Sequence, residues 1–203
     1  MRADLEGLVA AAKVVAAGGL ICFPTDTVYG LGCDPMDSSA VEKVIKAKGG
    51  RSKAMPVLVQ DLESARQLAR ISDGGRKLAQ KFWPGPLTII QQARETVPTI
   101  LAPQGIVGLR SPNHAICLEL LRLCSGHLVG TSANKTGYAP AISAKEALKV
   151  FSGSVDLVLD AGKSPLGVAS TVIDLSKNRL LILREGPISK EEILECLRRN
   201  EPR

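Results

Sequence analysis

At 203 residues, 45% hydrophobic but only 3% aromatic, the chain has enough apolar material for a core of its own and few rings on which to stack single-stranded bases. Its formal charge of +6 favours phosphate-bearing partners without separating a nucleotide from a nucleic acid. The five cysteines, Cys22, Cys33, Cys117, Cys124 and Cys196, are an odd number with no CxxC pair, which argues against a disulfide framework or a structural zinc site.

Leu5, Leu8, Val9, Ala12 and Val15 recur at helical spacing, and Gly18-Gly19 follows as a stop. Asp4, Glu6 and Lys13 within that stretch set it apart from a signal peptide or a spanning helix, so a cytoplasmic protein with no membrane contact is expected. Leu20 to Phe23 reads as a buried strand. Ser39-Ala-Val-Glu42 fits a capping box that opens a helix to about Lys48, and Met55 to Val59 is the next strand.

Helices are expected over 62–70 and 75–82, before Trp83-Pro84-Gly85-Pro86 breaks the chain ahead of the β-rich run Leu87 to Ile90. Further on, strands are expected at 106–110, 127–130, 157–159, 170–175 and 180–183. Helices are expected at 114–124, after the capping box Ser143-Glu146, and after a third, Ser189-Glu192. Mixed elements along the whole length predict an α/β fold, a mixed sheet with packed helices in a single domain over 1–203. The hairpin-like spacing of the last two strands speaks against an all-parallel sheet.

Four segments carry chemistry-bearing residues. Phe23-Pro-Thr-Asp-Thr-Val-Tyr-Gly-Leu-Gly-Cys33 sets hydroxyls and a carboxylate after a buried strand, either to line a cleft or as a polar turn with Tyr29 plugging the core. Lys46-Ala-Lys-Gly-Gly-Arg-Ser-Lys53 gathers four cations and two glycines, suited to folding around a polyphosphate or to sitting against a helix C-terminal dipole. Arg110, at the end of an apolar strand, could clamp a carboxylate or form a structural ion pair. Ser132 and Asn134, two apart, can point together at one anion or ribose, or else shape an Asx-type turn. Ser170 and Arg184 add a hydroxyl and a cation at strand ends.

In this order, FPTDTVYGLGCDP, the basic loop, FWPGPLT, VGLRSPNH, the SxN motif inside GTSAN, and STVIDL followed by LREGP resemble the YrdC-type threonylcarbamoyl-AMP synthases from Gly18 to about Pro187. The resemblance implies a twisted α/β fold with a basic concave cavity. It also implies a nucleotidyltransferase that joins L-threonine, bicarbonate and ATP, with Mg²⁺, into threonylcarbamoyl-AMP and pyrophosphate. A downstream threonylcarbamoyltransferase would then modify tRNA.

Motif matching assigns Thr25, Arg110, Gly130 and Ser170 to threonine, and Lys48, Arg51, Lys53, Ser132, Asn134 and Arg184 to ATP. Lys48 and Arg51 would be the catalytic cations; no metal ligand is assigned. The cation loop departs from the family pattern. Either Arg51 is displaced by one position, or an extra glycine is inserted and Met55 stands where the second cation belongs. Lys48 keeps its place in both registers. The competing expectations are a non-catalytic RNA-binding module, with direct tRNA or RNA contact, and a carbamoyl-handling relative of the hydrogenase-maturation carbamoyltransferases.

Overall fold

The computed structural model describes residues 1–50, 55–177 and 179–198; Arg51 and Lys53 lie outside them. Helix α1 (Leu5–Ala16) starts at Asp4, whose carboxylate accepts from the Gly7 amide at 2.9 Å, and buries Leu8, Ala11 and Val15. It ends where Gly18 takes a positive φ of 73° and Gly19 donates back to the Val14 carbonyl. The chain then enters β1 (Ile21–Phe23) and returns antiparallel as β2 (Gly30–Gly32), so Pro24 to Tyr29 is the loop of a hairpin.

The second strand of that hairpin was not legible as a strand, because two of its three residues are glycines of low β propensity. Its glycines are required by close packing. A Cβ on Gly32 would fall 2.0 Å from the Val129 carbonyl oxygen, and one on Gly30 would meet the Phe23 ring at 2.8 Å.

Helix α2 (Ser38–Ala47) is capped two residues earlier than the Ser39-Glu42 pattern suggests. Asp37 accepts from the amides of Ser39 and Ala40, and a carboxylate placed there also meets the positive end of the helix dipole. Next come β3 (Val57–Val59), α3 (Leu62–Leu68), β4 (Ala69–Arg70), α4 (Asp73–Phe82), β5 (Leu87–Ala93) and β6 (Ile106–Arg110). The helix expected to run to residue 70 stops at Leu68 because Ala69 and Arg70 leave it to pair with Ala93 and Gln92.

The remainder is α5 (Ala115–Leu123), β7 (His127–Val129), β8 (Thr131–Ser132), α6 (Ala144–Phe151), β9 (Leu157–Val158), β10 (Thr171–Asp174), β11 (Leu181–Arg184) and α7 (Lys190–Arg198). The Ser189-Glu192 box forms as expected, with each residue receiving the other's amide. In the Ser143-Glu146 box, Ser143 takes the Glu146 amide while Glu146 reaches one residue further back, to Ile142.

The mixed α/β architecture is divided between two sheets: a four-stranded one in the order β8-β2-β1-β9 and a seven-stranded one in the order β11-β10-β5-β6-β3-β7, with β4 alongside β5. The closing pair β10–β11 is antiparallel, as its spacing suggested, and β10 runs parallel to β5. Apolar residues of α1, α5, β1 and Leu128 form one core cluster, α2 and α6 help close a second, and α4 with α7 cover Leu87, Ile89 and Ile173 in a third. Gly130 is the one residue between β7 and β8, so the chain changes sheets there.

Candidate active site

A cavity of about 310 Å³ opens where the two sheets meet, near the lower end of the usual range for small-molecule sites. The β1–β2 loop, the end of α2, the C-terminal end of β6, the Gly130 crossing and the start of β10 all reach it. All eight of the described residues singled out from the sequence line it: Thr25, Arg110, Gly130 and Ser170 with Lys48, Ser132, Asn134 and Arg184. Among the described residues its wall holds three cations and no carboxylate, the charge pattern of an anion site.

Arg110 is the most firmly built of these. The side chain is 6% exposed, Nε donates to the Gly85 carbonyl at 3.0 Å, and Nη1 donates to Thr27 Oγ1 at 2.8 Å. Nη2 makes a charged hydrogen bond to Asp26, whose carboxylate is equally buried. The ion-pair reading of Arg110 is therefore realised. It still leaves two of a guanidinium's five N–H groups for a ligand in the cavity. Burial pushes the Arg110 pKa down and Asp26 opposes that fall. The turn containing Gly85 is held in turn by Trp83, whose indole donates to the Leu87 carbonyl, and by the Gly85 amide donating to Ser111.

The β1–β2 loop satisfies both readings made of it. Tyr29 fills the core with no exposed surface, its hydroxyl donating to the Gly162 carbonyl at 2.8 Å, while Thr25 and Thr27 face the cavity. Thr25 Oγ1 donates to the Val28 carbonyl and lies 3.0 Å from Thr27 Oγ1, so the two hydroxyls and Arg110 form one bonded chain.

The opposite wall is a lacing of loops. Lys48, at the end of α2, donates through Nζ to the carbonyls of Ser132 at 2.6 Å and Asn134 at 2.9 Å. Burial lowers its pKa to about 8, and the neighbouring Lys135 adds to the fall. Lys135 donates to the Ala47 carbonyl and Thr136 to that of Lys48, so Lys135 rests on the C-terminal end of α2 alongside Lys46 of its last turn. Ser132 donates to Asn134 Oδ1 at 2.6 Å, and the Asn134 amide donates to the Lys135 and Tyr138 carbonyls. In this structure the SxN pair thus shapes its own loop.

On the floor, Ser170 Oγ lies 2.8 Å from Thr88 Oγ1 and accepts from Arg184 at 3.1 Å; Arg184 also holds the Ser170 carbonyl. Met55 and Pro56 line the cavity as well, just beyond the basic loop. Sequence reasoning passed over Thr88 and Leu58, which also line it, because nothing in an apolar strand marks which residue faces a cavity. Cys22 and Cys33, which flank the β1–β2 hairpin loop, are not candidates for nucleophiles: burial raises each to about 12.

A family model described as "Telomere recombination" (Sua5/YciO/YrdC) matches residues 13–186. The chain belongs to this family. A relative from Mycobacterium tuberculosis is 40% identical over 95% of this chain and 89% of its own length. The threonylcarbamoyl-AMP synthase of Thiobacillus denitrificans is 33% identical over 81% of this chain and 88% of its own length. Among solved structures, Pyrococcus abyssi Sua5 complexed with L-threonine superposes with a TM-score of 0.90 at 35% identity, over 93% of this chain and 56% of that one.

Proposed function

We propose that this protein is an L-threonylcarbamoyladenylate synthase, joining L-threonine, bicarbonate and ATP into threonylcarbamoyl-AMP, pyrophosphate and water. The observation that carries this reading is a single cavity, with no carboxylate in its wall among the described residues, that brings Arg110, Thr25, Gly130 and Ser170 within the same walls as Lys48, Ser132, Asn134 and Arg184. Relatives of similar length bear the synthase name and a Sua5 structure holds L-threonine, which favours this function over an RNA-binding module with no chemistry.

In the proposed reaction, the two free N–H groups of Arg110 take the threonine carboxylate. The threonine amine attacks the carbon of bicarbonate, releasing water and leaving a carbamate. A carbamate oxygen then attacks the α-phosphorus of ATP and pyrophosphate departs. Such chemistry depends on holding two reactants together and on neutralising charge more than on a protein nucleophile. Lys48 and Arg184 supply that neutralisation, with Arg51 as the further cation assigned from sequence.

No cluster of three or more metal-ligating side chains occurs among the described residues, and a Mg²⁺ site of protein carboxylates does not fit this cavity. Mg²⁺ therefore belongs to the proposal as a companion of the ATP phosphates. Among the described residues no helix is long and apolar enough to cross a membrane. The proposed setting is the cytoplasm, upstream of an enzyme that moves the threonylcarbamoyl group to tRNA. Incubation with ATP, Mg²⁺, bicarbonate and L-threonine, followed by mass spectrometry, is expected to yield threonylcarbamoyl-AMP. RNA binding without adenylate product would overturn the reading.

A further inference from the structure

Leu58 stands on β3 in direct parallel register with Arg110 on β6, so the two side chains leave the same face of the sheet from adjacent strands. Neighbouring strands lie about 4.8 Å apart, a separation one amino acid can bridge. Leu58 is 2% exposed, yet it forms part of the cavity wall. Its branch leans over the Gly130 backbone: a Cβ on Gly130 would fall 2.3 Å from Leu58 Cγ. An apolar branch therefore sits between the guanidinium and the sheet-crossing glycine. The cavity wall also carries the hydroxyls of Thr25, Thr27, Thr88 and Ser170 and the apolar side chains of Val28, Ile45, Met55 and Pro56, but of these residues none pairs with Arg110 across the sheet as Leu58 does.

A substrate held by its carboxylate at Arg110 thus has hydroxyls on several sides and one branched hydrocarbon in register beside it. We infer that Leu58 is a specificity-determining residue, its isobutyl group receiving the γ-methyl of the amino acid and so favouring threonine over serine. This inference rests on the synthase reading above. The hydroxyl common to threonine and serine cannot separate them; only contact with the methyl can. One methyl in an apolar pocket is worth about 10- to 200-fold in kcat/KM.

Adenylate formation by the full chain is measured with L-threonine, L-serine and L-2-aminobutyrate, the last of which keeps the terminal methyl and lacks the hydroxyl. Leu58→Ala is expected to lower the threonine-to-serine ratio of kcat/KM by about 10-fold or more. The loss should lie in the KM for threonine, with 2-aminobutyrate losing in parallel and serine little changed. Leu58→Met, which conserves volume, is expected to keep most of the preference. Should Leu58→Ala fail to fold by circular dichroism, Leu58→Val is measured in its place, with a smaller shift in the same direction.

An unchanged ratio in a folded variant, or equal loss on all three substrates, overturns the role of Leu58. Absence of any adenylate from the wild type with threonine would instead overturn the synthase reading.

Discussion

The two ends of the cavity are built differently. Arg110 is nearly fully buried at the end of a regular strand, with three of its donors engaged by Asp26, Thr27 and Gly85 before any ligand arrives. Lys48 is half-buried at a helix end, and its partners are the carbonyls of Ser132, the last residue of the short strand β8, and of Asn134 just beyond it. A carboxylate of fixed size calls for a prebuilt fork, since order established during folding need not be established on binding. A flexible polyphosphate suits cations whose carbonyl partners can be exchanged for phosphate oxygens.

The sharpest way to break this comparison is Arg110→Ala. It leaves the Asp26 carboxylate buried without its counter-charge, and Asp26 Oδ2 already has no hydrogen-bond partner. A stability loss of about 3–5 kcal/mol is expected in urea titration. Threonine affinity measured by calorimetry on the folded fraction should fall by about 1.5–3 kcal/mol. Arg110→Met combined with Asp26→Asn should recover part of the stability and none of the threonine binding, which separates the two roles of the guanidinium.

Lys48→Met comes next. Loss of a charged hydrogen-bond donor should weaken ATP binding by about 1.5–3 kcal/mol while threonine affinity, set at the other end, stays near wild type. The wild-type site also carries a pH signature. Lys48 in the folded protein is a cation below about pH 8 and neutral above it. ATP affinity should therefore decline as pH rises through 8, and ATP binding above pH 8 should take up a proton. Calorimetry in two buffers of different ionisation enthalpy reads that uptake directly. Lys48→Met should abolish both effects.

The smallest effect is expected for Ser132→Ala, about 1 kcal/mol on ATP affinity, the worth of an uncharged hydrogen bond. Ser132 donates to Asn134, whose amide is already anchored on the Lys135 and Tyr138 carbonyls, so the loop keeps most of its shape. A loss as large as that of Lys48→Met would show instead that the loop, and not the cation, carries the nucleotide.

What the sequence made legible follows from where each signal resides. The strand Ile106–Arg110 and the helix at the C-terminus were read correctly because burial period and capping residues are local properties. The strands β2 and β8 were missed because their three and two residues carry no such period. They exist because a long-range partner, β1 in one case and β2 in the other, completes their hydrogen bonds.

Asp37 displaced Ser39 as the α2 cap because three competent residues, Asp37, Ser38 and Ser39, stand in a row, and sequence alone does not rank them. Among site residues, the eight that met at the cavity carry polar or special side chains at strand or helix ends. Asp26 was visible as a carboxylate in the loop, but its service to Arg110, 84 residues away, is a property of the fold. Leu58 looked like any strand leucine.

The crossing at Gly130 has one more consequence. Leu58 and Arg110 belong to the seven-stranded sheet, whereas Ser132 belongs to the four-stranded one, and one peptide unit sets their phase. Adding a residue after Gly130 would slide β8 along β2 by a single ladder step, about 3.3 Å, and turn Ser132 to the opposite face. The Arg110 end would keep its bonds, whereas the Lys48 bonds to the Ser132 and Asn134 carbonyls would lose their register. The molecule would then resemble a vice with one jaw still set and the other turned away, able to seat one reactant and to join neither.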